Sequence, residues 1–256
     1  MIDFEKSKNK FNEYLKEYDS TDGKIKLKIT HTYHVVDYSE FIAKKLELSD
    51  EDIELAKLIA LLHDIGRFEQ LKLYDGYSDK NINHAEYGFK ILFENGMIRE
   101  FVEEPKYDEI IAKAIRNHSK YALDCEMSEK ELLHAKIIRD ADKLDNFRVK
   151  ETEKFEDIAS ISKEGLENGI ISDEVYNDIL NCRQVLSSKV KTELDFWVNI
   201  IAFTFDLNFK CSFQYLKESN YINIVIDRID YKKDETKGRI EEIRKCTNNY
   251  INEHLQ

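Results

Sequence analysis

The sequence predicts an all-α protein on three observations: one proline in 256 residues, apolar side chains recurring at spacings of three, four and seven, and capping-box patterns at Ser49 and Ser128. Phe4, Phe11, Tyr14, Leu15 and Tyr18 fall on one face, so an amphipathic helix is expected over Phe4–Tyr18. Asp19–Lys24 carries Ser, Thr and Gly and reads as a loop. A second helix is expected over Ile25–Leu46, with Val35, Tyr38, Ile42 and Leu46 aligned. Ser49-Asp50-Glu51-Asp52 opens a third, which runs through the apolar stretch Leu55–Leu62 into His63-Asp64.

Gly66–Asn81 lacks a clear period and is predicted to be an irregular rim or lid. Asn83 starts a helix with His84 in its first turn and Tyr87, Ile91 and Leu92 inward, and Asn95-Gly96 stops it. After a break at Glu104-Pro105, a helix over Tyr107–Asn117 delivers His118 at its end. The helix opened by Ser128-Glu129-Lys130-Glu131 continues through Ile137 and Ile138 to Asp140, Asp142 and Asp145. Beyond Lys150 the pattern stays helical without a comparable cluster of ligand types. Two parts are therefore expected, residues 1–150 and a C-terminal helical extension over 151–256. Leu194–Leu207, with Trp197, Phe203 and Phe205, suggests a core helix or the buried interface of a homo-oligomer. Asn220–Asp230 is rich in Ile and Val, but no partner strand is evident and helix is preferred.

Composition removes several function classes. A 42% apolar and 35% charged chain fits a soluble globular protein. The net charge of -12, with no long block of Lys and Arg, argues against a nucleic-acid duplex as partner. The start Met1-Ile2-Asp3-Phe4-Glu5-Lys6 lacks a hydrophobic segment, and no apolar run reaches bilayer length, so no membrane association and a cytosolic location are expected. Cys125, Cys182, Cys211 and Cys246 show none of the close pairing of a thiolate zinc site and read as reduced, partly buried side chains.

The chemistry lies in the histidines and aspartates. His31, His63, His84 and His118, four of the seven histidines, are joined by Asp64 and Asp142, each in or beside a helix. Imidazoles and carboxylates without thiolate suit one or two divalent ions of manganese, iron, cobalt, nickel or zinc, and suit magnesium less. Wide spacing is no objection, because helical metal proteins build sites from inward side chains of separate helices. His34 lies one helical turn from His31 and is the alternative to it; His134 and His254 read as surface residues.

His63-Asp64-Ile65-Gly66 at the end of an apolar helix, preceded by His31 in His31-Thr32-Tyr33-His34-Val35 and followed by Asp142 in Ala141-Asp142-Lys143-Leu144-Asp145, resembles the HD-domain superfamily of metal-dependent phosphohydrolases over about Ile25–Lys150. The resemblance implies an HD-domain helical bundle with His31, His63, Asp64 and Asp142 as metal ligands. It favours Asp142 over Asp140 and Asp145. Dinuclear members add two histidines at positions that His84 and His118 match in order, with Asp64 then bridging two ions. Asp64, Lys143 and Arg67 are the catalytic candidates: Asp64 for the metal and its water, Lys143 and Arg67 for charge developing on a small anionic phosphorylated substrate.

Departures narrow the branch. Ile65-Gly66-Arg67-Phe68-Glu69-Gln70 lacks the Glu-Asp pair of the alarmone hydrolases. His118-Ser119-Lys120-Tyr121 lacks the extended signature of the cyclic dinucleotide phosphodiesterases, although His84-Ala85-Glu86-Tyr87-Gly88 is similar to them. Hydrolysis of a phosphomonoester or nucleotide is the residual expectation. A di-iron oxygenase of the same ligand pattern and a non-catalytic nucleotide sensor are the alternatives.

Overall fold

The computed structural model describes residues 2–79, 81–159 and 161–256; Met1 of the N-terminal reading and residue 80 of the expected rim lie outside them. Among the described residues the regular structure is entirely helical, as the sequence predicts. The chain divides into two compact units, Met1–Asp145 and Asn146–Gln256.

The first unit contains α1 (Phe4–Leu15), α2 (Gly23–Lys45), α3 (Asp50–Leu62), α4 (Ile65–Tyr74), α5 (His84–Phe89), α6 (Ile98–Phe101), α7 (Asp108–Asn117) and most of α8 (Glu129–Thr152). Capping fixes several starts. Asp3, Asp22, Ser49 and Asn83 each accept a hydrogen bond from a first-turn amide, which satisfies donors that the helix leaves free. α2 thus starts inside the expected loop, because Asp22 caps it directly. Ser128 and Glu131 form the predicted box at α8, with Ser128 N–H donating to Glu131 Oε2 at 2.7 Å.

α3 forms the centre of this unit. Leu55, Leu58, Ile59, Leu61 and Leu62 are all fully buried, and each contributes about 1.5–3 kcal/mol of burial energy. α2 packs along α3 through Val35, Ile42 and Ala43, and α7 meets it with Ile111, Ala114 and Ile115. α1 covers α4: the Phe11 and Phe68 rings meet edge to face at 5.9 Å, and Tyr14 donates its hydroxyl to Ile65 O at 3.0 Å.

Two expectations are corrected here. Much of Gly66–Asn81 is helix rather than irregular rim: α4 runs to Tyr74 and ends where Asp75, at φ +49°, donates its amide to Leu71 O. The period was obscured because α4 buries Ile65, Gly66, Arg67, Phe68, Gln70 and Leu71, polar residues included. His134 is buried rather than on the surface; its Nε2 lies 3.3 Å from Asp52 Oδ1, and burial lowers its pKa. His254 is exposed, as expected.

The second unit contains the end of α8, then α9 (Phe155–Ile158), α10 (Lys163–Glu167), α11 (Asp173–Leu180), α12 (Glu193–Ala202), α13 (Lys210–Glu218), α14 (Tyr221–Asp227) and α15 (Asp234–Glu253). α12 is the expected apolar segment, opened by a capping box of Thr192 and Asp195. Leu194, Trp197, Val198 and Ile201 are fully buried within the single chain, which makes it a core helix. Trp197 Nε1 donates to Val225 O on α14, itself helical as preferred from the sequence.

Candidate metal centre

Each histidine of the predicted set is held through Nδ1, and the local fold dictates how. His63 and His118 lie just past the ends of α3 and α7, where last-turn carbonyls have no intrahelical donor. His63 accordingly donates Nδ1–H to Ala60 O at 2.6 Å, and His118 donates to Ile115 O at 2.6 Å. A carbonyl only accepts, so in both rings Nε2 is left as a lone pair. His31 pairs its Nδ1 with Asp145 Oδ2 at 2.6 Å, and His84 pairs its Nδ1 with Asp79 Oδ1 at 2.8 Å. Second partners of this kind set ring orientation and tautomer in metal sites.

The four Nε2 atoms gather around Asp64. This aspartate is the N-cap of α4, yet its side chain makes no capping hydrogen bond. Its carboxylate faces the histidines instead: Oδ2 lies 3.6 Å from His63 Nε2 and 3.8 Å from His31 Nε2, while Oδ1 lies 3.4 Å from His84 Nε2 and 3.7 Å from His118 Nε2. One carboxylate therefore addresses two pairs of imidazoles, one with each oxygen. Asp142, from α8, completes the first side, with Oδ1 at 3.1 Å from His31 Nε2 and 3.9 Å from His63 Nε2. On the second side, His84 Nε2 and His118 Nε2 are 3.0 Å apart.

Two overlapping sets, His31–His63–Asp142 and His63–Asp64–His118, have ligand atoms close enough together to hold a metal ion. The donor set fits a divalent cation. His63 Nε2 and Asp64 Oδ1 are buried with no hydrogen bond, and such groups cost about 1–3 kcal/mol each unless something else satisfies them. Electrostatics agrees. Burial pushes His63 down to about 3, and burial together with the Arg67 charge pushes His84 down to about 4, so both rings are neutral at pH 7. Burial would raise Asp64, but the charge of Lys28 and contacts with His63, His118 and Arg67 hold it well below the usual carboxylate range. Asp142 is likewise held low, burial being outweighed by His31. For His31, burial lowers the pKa, yet the hydrogen bonds of Asp142 and Asp145 prevail and raise it.

The remaining candidates are placed as follows. His34 is half-buried and outside both sets. Asp145 backs His31, and Asp140 is buried. Lys143 is buried, with Nζ 3.5 Å from Arg139 O. Arg67 directs NH1 to Gln70, to Tyr77 O at 2.9 Å and to Asp79 at 3.3 Å, and its Nε lies 3.8 Å from Asp64 Oδ1. Arg139, fully buried, donates to Asn117 O and Lys120 O and so holds the turn that carries His118.

Sequence reasoning missed two residues. Lys28 places Nζ 2.7 Å from Asp64 Oδ2, and its position three residues before His31 put it on the same helical face. Asp79, which supports His84, had no local signal; it lies in a non-helical stretch and its role arises from folding.

The fold and the site together define a helical protein with a buried histidine–aspartate centre spread over six helices and their ends. Residues 29–146 match the HD domain family and span every one of these ligand candidates. That segment, somewhat under half of the chain, carries an HD domain. No curated protein and no solved structure matches the chain. Among the described residues, no helix is long and apolar enough to cross a membrane.

Proposed function

We propose that the protein is a metal-dependent phosphohydrolase that cleaves a small phosphate ester or nucleotide. In this reading His31, His63, Asp64 and Asp142 hold one divalent ion, and Asp64, His84 and His118 hold a second. The observation that carries it is the convergence of Nε2 atoms, each set by an Nδ1 contact, on a carboxylate withheld from its helix cap. When bound, such an ion lowers the pKa of water from near 16 to about 7 and so makes hydroxide available at neutral pH.

The chain's own residues divide the remaining work. Neutral His63 and His84 present lone pairs without first losing a proton. Asp64 and Asp142 supply the negative charge that balances the ion. Asp142 is the most exposed of the six, its side chain 17% accessible, so substrate enters on its side. Lys143, its neighbour in α8, brings a cation to the phosphoryl group there, while Arg67 offsets and orients Asp64 and Asp79.

The test joins metal analysis of protein purified without chelator or His tag to a phosphate-release panel of nucleotides, sugar phosphates and cyclic nucleotides in Mn²⁺, Co²⁺, Ni²⁺, Zn²⁺ or Fe²⁺. His63→Ala and Asp64→Ala should lose metal and fall to background. Full metal content and activity in both variants would overturn the reading. Oxygen uptake by the iron-loaded protein, with no phosphate release, would assign the oxygenase alternative.

A further inference from the structure

Lys28 has no part in the scheme above, yet it makes the closest contact to Asp64. Its Nζ lies 2.7 Å from Oδ2, the oxygen that also faces His31 and His63. Asp64 is buried, and a buried carboxylate is tolerated when a cation stands against it. The ammonium meets this need in the protein as it stands. A divalent ion accepted on the same oxygen would repel it, and two cations sharing one buried oxygen is the least favourable arrangement the site offers.

Lys28 can leave where Arg67 cannot. Its side chain is 12% accessible and ends in a flexible four-carbon stem. The Tyr77 ring, 5.8 Å from Nζ, lines its surroundings and could support the released charge. Arg67 approaches the same ring, with its guanidinium 6.0 Å away, but NH1 is fixed by Gln70, Tyr77 O and Asp79. One cation is thus built into the wall and the other rests on the carboxylate.

We propose that Lys28 is a displaceable counter-ion, neutralising Asp64 while the centre is empty and released to a phosphoryl oxygen of the substrate once a divalent ion takes that carboxylate. The inference rests on the metal-centre reading above. It goes further by giving one lysine opposite effects on two ligands, competing with the metal and attracting phosphate.

The experiment compares wild type with Lys28→Met in three direct readouts: Mn²⁺ affinity by calorimetry, inorganic phosphate affinity of the Mn²⁺-loaded protein, and melting temperature with and without Mn²⁺. Lys28→Met should bind Mn²⁺ at least tenfold tighter and phosphate at least tenfold more weakly, and should lose melting temperature only in the metal-free form. If that variant does not fold, Lys28→Gln, which still donates to Asp64 without a charge, carries the same three readings. Unchanged or weaker Mn²⁺ binding, or an equal loss of melting temperature in both forms, would show a merely structural ion pair and overturn the proposal. Tighter Mn²⁺ binding with unchanged phosphate affinity would overturn the release to substrate. Failure of the wild type to bind Mn²⁺ would instead sink the metal centre itself, and this inference with it.

Discussion

Gly66→Ala tests how the centre is assembled, because α4 and α5 approach each other at this residue. A Cβ at position 66 would stand 2.3 Å from His84 O and 2.5 Å from Gly88 N, whereas ordinary contact begins near 3.4 Å. Both obstacles are backbone, so no side chain can rotate away. α5 must retreat by about 1.1 Å, the difference between 3.4 and 2.3 Å. Overpacking of this kind costs about 1–3 kcal/mol, and a backbone obstacle belongs at the upper end. At about 2–4 °C per kcal/mol for a chain of this size, the melting temperature should fall by about 6–12 °C. The functional effect is specific, since His84 is the first residue of α5 and metal ligands tolerate only about 0.2 Å. Ions held by Asp64, His84 and His118 should be lost before those held by His31, His63 and Asp142. Equilibrium dialysis against Mn²⁺ with elemental analysis, beside thermal unfolding, reads both effects. Gly88→Ala is the internal contrast: its nearest obstacle, an Ile65 methyl at 3.3 Å, can give, and the variant should be much milder. Gly66→Ala protein with wild-type melting temperature and metal content would refute the reasoning.

Three further predictions concern other links. Asp79→Asn removes the carboxylate behind His84 Nδ1 and should weaken binding of the second ion by about 10–100-fold, measured by metal titration, while the first ion is retained. Removing metal with a chelator should destabilise the protein, since an ion present at 100 times its Kd adds about 2.7 kcal/mol; unchanged thermal unfolding would count against a bound ion. Lys150→Met should stabilise the second unit at neutral pH. Burial, reinforced by Arg228, lowers the Lys150 pKa to about 7 from 10.5, so the unfolded chain binds the extra proton and stability rises with pH between those values. At pH 7 this penalty is about 4 kcal/mol by the 1.36 kcal/mol per pH unit conversion. The Phe196 and Trp197 rings, 3.9 and 4.8 Å from Nζ, return about 2 kcal/mol by favouring the ammonium. A net gain of about 2 kcal/mol in denaturant unfolding at pH 7, fading toward pH 10.5, is expected; no gain at pH 7 would show that Nζ is better satisfied than its surroundings suggest.

Helices were legible where one face is apolar and a cap is written locally. α3 and α8 show both, with Ser49 and Ser128 at their starts. α4 was missed because its buried face includes Gly66, Arg67 and Gln70, whose polar groups are satisfied by Tyr77, Ser78, Asp79 and Ile82, partners outside the helix. His134 was misread for the same reason: Asp52, its partner, is 82 residues away. No local period can report a contact at that distance.

By itself the sequence determined the chemical types and their order: helices ending in His63 and His118, an aspartate following one of them, and a further aspartate within α8. Those are local facts, set by caps, periodicity and residue identity. Tertiary structure decided which ring nitrogen faces the centre, that Asp145 stands behind His31 at Nδ1, and that Lys28 rests on Asp64. These depend on distances and burial between helices distant in sequence, and so arise only when the core around α3 closes.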